Sequence, residues 1–313
     1  MKCLGVVGTM VWDTIYGRGG EADPIEEWGG IAYALAALDA ALPDHWRLVP
    51  LVKVGRDLAS KANTFLESLA HRSAAQRFVE VPEPNNRVTL HYDGLVRRAE
   101  RLTGGVPAWT WAELGPMLRD LDALYVNFIS GFELTLETMQ YLRRGFDGPV
   151  YVDLHSLLLG VARDGSRTPQ RLPQVSEWFA CCDVVQLNED ELALIGDDPM
   201  AVAASAMRVG VGLMLVTLAE RGAVYFTVPP FRFGREPSRA TAIRTRRLDT
   251  PRVDAVDPTG SGDVFGGTVV AGLVADLDVE TAIERATAAA ARNVQYRGAT
   301  GLQYHLRGEI VPQ

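Results

Sequence analysis

A doubly wound, mostly parallel α/β sheet flanked by helices is the fold this sequence predicts, with a small β-structured lid beside it. Three observations point there. Short apolar, β-branched runs alternate with helical patterns along most of the chain. Hydrophobic residues make up 47% of the 313, enough for a large buried core. Two stretches, approximately 14–29 and 81–106, break the alternation and read as lid segments inserted in a single domain spanning 1–313.

Taken in order, the strand candidates are Leu4–Val7, Trp46–Val54, Ala123–Phe128, Pro149–Asp153, Val184–Leu187, Gly212–Thr217 and Ala223–Val228. Helical patterns fill the intervals at Ile31–Ala40, Asp57–Ala70, Leu134–Arg144, Gln174–Phe179, Glu189–Ile195 and Asp198–Val209. Two more, Asp263–Ala275 and Val279–Arg292, follow near the end. The first lid stretch is rich in glycine and acids. The second alternates around Val88–Tyr92 and carries the turn signal Tyr92-Asp93-Gly94. Arg232–Arg252 holds seven arginines with few aromatics between them, which suits a solvated hairpin or loop better than a nucleic-acid patch.

Composition narrows the function classes. A formal charge of −8 argues against nucleic acid or an anionic membrane as the main partner, while leaving room for a small phosphorylated ligand held by local groups. No run approaches the roughly 18 apolar residues that span a bilayer. The opening MKCLGVVGTMVWDTI is short in its apolar run and contains Asp13, so it reads as a strand rather than a signal peptide. Cys3 and the adjacent Cys181–Cys182 show no metal spacing and read as reduced thiols, so a cytoplasmic location is expected.

The most informative run is Ala255-Val256-Asp257-Pro258-Thr259-Gly260-Ser261-Gly262-Asp263. An extended dipeptide before Pro258 gives way to small residues that open a helix. Backbone N–H groups of Gly260, Ser261 and Gly262, with a helix N-terminus behind them, make an anion site. Asp263, next to it, can accept the proton of an attacking alcohol, or can serve only as an N-cap; the residues alone leave both readings open.

This run resembles the C-terminal signature of the ribokinase-like (PfkB) carbohydrate and nucleoside kinases, D-[TP]-[TN]-G-[AS]-G-D. The resemblance implies a ribokinase-like fold, Asp263 as general base and the Gly260–Gly262 amides as anion hole. Asp257 and Thr259 match positions that help bind a monovalent cation, such as K+, in several members. Asp13 looks like the family's substrate-binding aspartate, and Gly29-Gly30 like its substrate loop. Asn188-Glu189-Asp190-Glu191 is an ordinary capping box in isolation; directly after a strand it matches the N-x-x-E motif, which implies Mg²⁺ positioning by Glu191 through water. Thr217, Glu220 and Gly222 fall in a turn similar to the family's nucleotide turn, and Asn293 falls where relatives line the adenine pocket.

Departures cluster at the substrate end. Ala34 stands where most relatives have a sugar-contacting asparagine, Tyr33 precedes it, Ala219 replaces a usual glycine, and His155 stands where asparagine is common. Tyr33 could stack on a base, though core packing suits it better. The resemblance therefore implies ATP-dependent transfer to a hydroxymethyl group of a sugar or nucleoside, with Mg²⁺ as cofactor. The alternatives are a dedicated nucleoside kinase and a non-catalytic binding relative. Relatives include lid-mediated homodimers, so a homodimer is among the expected assemblies. A dinucleotide dehydrogenase would need G-x-G-x-x-G after a strand, and a P-loop kinase a lysine in G-x-x-x-x-G-K; Lys2, Lys53 and Lys61 sit in no such motif.

Overall fold

The structure is a computed structural model and describes residues 1–18, 23–73, 78–94, 96–235 and 242–310. Strand β1 (Lys2–Val7) is followed by β2 (Met10–Arg18), β3 (Ile25–Gly30), helix α1 (Ile31–Ala41) and β4 (Trp46–Leu51). Strands β5 (Arg87–Gly94), β6 (Val96–Thr103), β7 (Ala123–Asn127), β8 (Val150–Asp153) and β9 (Val184–Asn188) come next. Helix α2 (Glu189–Ile195) leads to β10 (Leu213–Thr217), β11 (Ala223–Thr227) and β12 (Arg244–Leu248), then α3 (Ser261–Val274) and α4 (Val279–Asn293).

Eight strands form one sheet in the order β12-β11-β10-β9-β8-β7-β1-β4. From β4 to β10 every pairing is parallel; β11 and β12 add antiparallel at one edge. The parallel strands are covered on both faces, which is why they read as continuous apolar runs rather than alternating ones. Helices α1 and α3 approach closely on one face: a Cβ on Gly267 would lie 2.9 Å from the Ala34 carbonyl oxygen. Ala34 itself is fully buried there, so the position is taken up by helix packing.

A second sheet, ordered β3-β2-β5-β6, stands beside the first and is the lid. Trp12 and Trp28, directly opposed across β2 and β3, meet edge to face at 5.1 Å, and the Lys61 ammonium lies 3.9 Å from the Trp12 ring centre. That contact ties the lid to the helix Ala59–Glu67.

Several boundaries move from the sequence reading. Asp13 belongs to lid strand β2, not to the end of β1, because the chain breaks at Gly8–Thr9 and turns out of the main sheet. Trp46–Val54 splits after β4, and Lys53–Gly55 pairs with Val79–Val81. The arginine-rich stretch, read as a solvated hairpin or loop, contributes edge strand β12, antiparallel to β11; Arg244 and Arg246 both bond Glu280, which satisfies charge at that edge. Arg239 and residues 19–22 and 95 of the lid stretches lie outside the described residues. No helix among the described residues is long and apolar enough to cross a membrane.

Candidate active site

The loop before α3 is shaped by two constraints. Gly260 is the N-cap with φ 73°, a left-handed conformation that favours glycine, and a Cβ there would lie 2.2 Å from the Tyr33 ring. Tyr33 is 1% exposed, so it is a packing residue beneath the loop and not a wall of the cleft that a base could stack on. From the other side, Asn293 Nδ2 donates to the Thr259 carbonyl at 2.9 Å. Asn293 is buried too, which makes it a clamp on the loop rather than a lining of the nucleotide cleft. Backbone N–H groups of Val256 and Asp257 both donate to the Val294 carbonyl, and Thr259 N–H donates to the Asp257 carboxylate at 3.0 Å. The loop is thus held rigidly while a Cβ on Gly262 would meet nothing within 4 Å, leaving its backbone open to a ligand.

Asp263 lies in the first turn of α3, where the helix dipole favours a carboxylate. Its Oδ1 accepts a 2.7 Å hydrogen bond from Asn127 Nδ2 at the tip of β7. Burial pushes the carboxyl up to about 6; the His155 charge and the Asn127 hydrogen bond hold it from going higher. Beneath it runs a buried polar network: Tyr151 O–H donates to Gln186 Oε1 at 2.6 Å, and Gln186 Nε2 donates to Asp153 at 2.7 Å and to the Gly262 carbonyl at 3.0 Å. Neither Asn127 nor Gln186 was singled out from the sequence. Their signal was present: each is a polar residue interrupting an otherwise apolar, fully buried strand.

Two clefts meet at the loop. The larger, about 1080 Å³, is lined by Thr217, Glu220 and Gly222 and has an apolar wall of Phe265, Ala290, Ala291 and Val294. The smaller, about 400 Å³, contains Asp13, Gly30, Asn188, Asp263 and, from the lid, Val88, Leu90, Tyr92 and Glu100. Pro258, Ser261 and Gly262 belong to both, so the loop is the partition between them, with Asp263 on the smaller side. Gly29 does not line the cleft; it makes room for Asp13, whose carboxylate would lie 1.9 Å from a Cβ there. Tyr92 reaches from the lid to the loop, its hydroxyl 3.2 Å from Thr259 Oγ1. Ala219 holds φ 50°, a left-handed conformation that favours glycine.

Glu191 closes a capping box with Asn188 and also bonds His155 Nδ1 at 2.9 Å. Burial by itself would lower the His155 imidazole, but the Glu191 hydrogen bond and the charges of Glu191, Asp153 and Asp263 raise it to about 9. His155 is therefore an imidazolium at neutral pH, set among three carboxyl groups. No group of three or more His, Cys, Asp or Glu among the described residues is arranged to hold a metal by itself. Mg²⁺ arriving on nucleotide phosphates would draw most of its shell from phosphate and water, and Glu191, which does not line either cleft, would reach it only through water. The larger cleft likewise fits a nucleotide, with an apolar wall for a base and open glycine backbone at the phosphate end.

This architecture is that of the ribokinase-like kinases. A ribokinase from Thermotoga maritima superposes with a TM-score of 0.72 at 20% identity, covering 98% of this chain and 99% of that one. A nucleoside kinase from Burkholderia thailandensis in complex with inosine gives 0.74 at 15% identity, covering 98% and 97%. Residues 161–304, a little under half of the chain, match the pfkB family carbohydrate kinase description. A deoxyribokinase from Salmonella typhi is 32% identical over 130 residues, which is 38% of this chain and only 37% of that relative.

Proposed function

We propose that the protein transfers the γ-phosphoryl group of ATP to a hydroxymethyl group of a sugar or nucleoside. One observation carries this reading: the Pro258–Gly262 loop is the shared wall of two clefts, and a carboxylate stands at its acceptor face. ATP would occupy the larger cleft, with its base on the Phe265–Val294 wall and its terminal phosphate at Gly262. Mg²⁺, bound with the nucleotide, would neutralise phosphate charge. The acceptor would lie in the smaller cleft with its diol on Asp13. Asp263 takes the proton as the alcohol oxygen attacks, and the amides of Gly260–Gly262 stabilise the charge spread over the phosphoryl oxygens. Asp257 and Thr259 would hold a monovalent cation such as K+ behind the loop. The lid excludes water, which limits idle hydrolysis of ATP.

The test is ATP consumption against hexoses, pentoses, nucleosides and sugar phosphates, followed by Asp263→Asn with the acceptor that responds. The variant keeps shape and hydrogen bonding but cannot take a proton, so kcat should fall by roughly 10²–10⁴-fold. Unchanged turnover removes Asp263 from the chemistry.

A further inference from the structure

Gly262 borders both clefts, and a side chain of the main sheet holds its backbone from the buried side. Asn127 on β7, Asp153 on β8 and Gln186 on β9 are in register across three parallel strands, so their side chains share one face. All three are buried. The outer two each bond the first turn of α3: Asn127 Nδ2 donates to Asp263 Oδ1 at 2.7 Å, and Gln186 Nε2 donates to the Gly262 carbonyl at 3.0 Å. The sheet thus reaches the proposed base and the loop beside it through two separate amides.

Chemistry leaves the Gln186 amide one orientation. A peptide carbonyl only accepts, so the nitrogen must face Gly262, and its second N–H donates to Asp153 Oδ2 at 2.7 Å. The oxygen then faces Tyr151, whose hydroxyl donates to it at 2.6 Å. Helix α3 leaves room for this group because residue 266 is glycine: a Cβ there would lie 2.6 Å from Gln186 Oε1 and 2.8 Å from the Tyr125 hydroxyl. A buried polar side chain costs stability unless its bonds are made, and one of the bonds made here falls on the loop that borders the clefts. The peptide joining Gly262 to Asp263 is planar, so fixing the Gly262 carbonyl also fixes the Asp263 N–H, which points the opposite way. As first-turn groups of α3, the Gly262 and Asp263 N–H have no partner within the helix.

We propose that Gln186 is a positioning residue for phosphoryl transfer: by holding the Gly262 carbonyl it aims the first-turn N–H groups of α3 at the terminal phosphate. This rests on the kinase reading above for the place of that phosphate. Asn127 holds the carboxylate of Asp263 and Gln186 holds its backbone, so the two amides serve the base and the anion site separately.

The experiment compares Gln186→Met, which keeps the length of the side chain but donates nothing, with Tyr151→Phe, which removes only the bond to Gln186 Oε1. With the acceptor that responds, kcat of Q186M should fall about a hundredfold, the cost of a displacement of about 1 Å at a reacting centre, while the acceptor KM stays within about twofold. Calorimetry should show ATP with Mg²⁺ binding Q186M about tenfold more weakly and ADP changing by less than about twofold, because only the terminal phosphate meets the displaced amides. Y151F should stay within about threefold of wild type in each measurement, since the Asp153 and Gly262 bonds still orient the amide. A merely structural role spreads the loss. ATP and ADP weakening together, Y151F losing as much as Q186M, or an unchanged kcat in Q186M overturns the assignment while leaving the kinase reading intact. If Q186M does not fold, Gln186→Asn, which stays polar but ends one carbon short of Gly262, is read by the same criteria. If no acceptor turns over in the wild type, the kinase reading fails and calorimetry decides: a loss for ATP with ADP unmoved supports the positioning role, and equal ATP affinity in variant and wild type, or no binding to either, overturns it.

Discussion

The two walls of the active cleft are built by opposite means. At the proposed phosphoryl end the groups offered are backbone amides of one contiguous loop, backed by helix α3 and clamped from below by Tyr33 and Asn293. The smaller cleft is lined instead by single side chains, Asp13 on β2, Tyr92 on β5 and Glu100 on β6, brought together by lid strand pairing. A backbone site demands particular φ values and the absence of Cβ atoms, so it constrains neighbouring residues jointly. A side-chain site constrains only isolated positions, and the strands between them stay free to vary.

Glycine-to-alanine changes within the loop give the sharpest break of that contrast. Gly260→Ala puts a methyl group into the Tyr33 ring at a left-handed φ, a strain of about 1–2 kcal/mol for the conformation with overpacking added. The loop must shift, and a displacement of about 1 Å at a reacting centre costs on the order of 10²-fold in rate. Gly262→Ala meets only open space, so thermal stability should hold while the KM for ATP rises. Equal losses of stability in the two variants would show that the loop is not clamped as described.

This asymmetry also explains what could be read in advance. The loop, the helix behind it and Asp263 were legible because they are one run of residues whose chemistry is local. The main-sheet strands were legible because burial on both faces leaves unbroken apolar runs. Asp13 was recognised but placed on the wrong strand, since nothing local marks the exit from one sheet into another at Gly8–Thr9. Core packing was the better of the two readings of Tyr33, and the ring lies buried beneath the loop with no face left for a base. Asn293 sits on the expected helix, but its side chain turns inward to Thr259, and helix periodicity could not separate that from an outward turn. The Arg167–Glu100 ion pair spans 67 residues of sequence, and no pattern joins the two before the lid docks.

Asn127 tests whether the phosphoryl end depends on side-chain support from the sheet. Its amide stabilises the charged form of Asp263, so Asn127→Leu should raise the carboxyl above its value of about 6. As the proposed base Asp263 works deprotonated, so activity should climb with pH through that value. In the variant the acid limb of the kcat profile should move upward by roughly one pH unit, costing about fivefold at pH 6 and much less at pH 8. An unmoved limb would assign Asn127 to packing.

His155, at the seam between the two ends, gives the smallest effect and a stability readout independent of any acceptor. Its folded value of about 9 lies above the ordinary 6.5, so the folded protein holds the imidazolium more tightly than the unfolded chain does. The stabilisation is complete below pH 6.5 and is lost as pH rises through 9. Asp263, at about 6, completes its ionisation early in that window and adds only a small slope near pH 6.5. Thermal midpoints of the wild type should therefore fall by a few degrees between pH 6.5 and 9, beyond the change in His155→Gln, because the ring is partly exposed and solvent screens its charge. Parallel pH curves for the two proteins would mean that the carboxylates around His155 do not hold its proton, and that the seam between the clefts carries more net negative charge than this geometry implies.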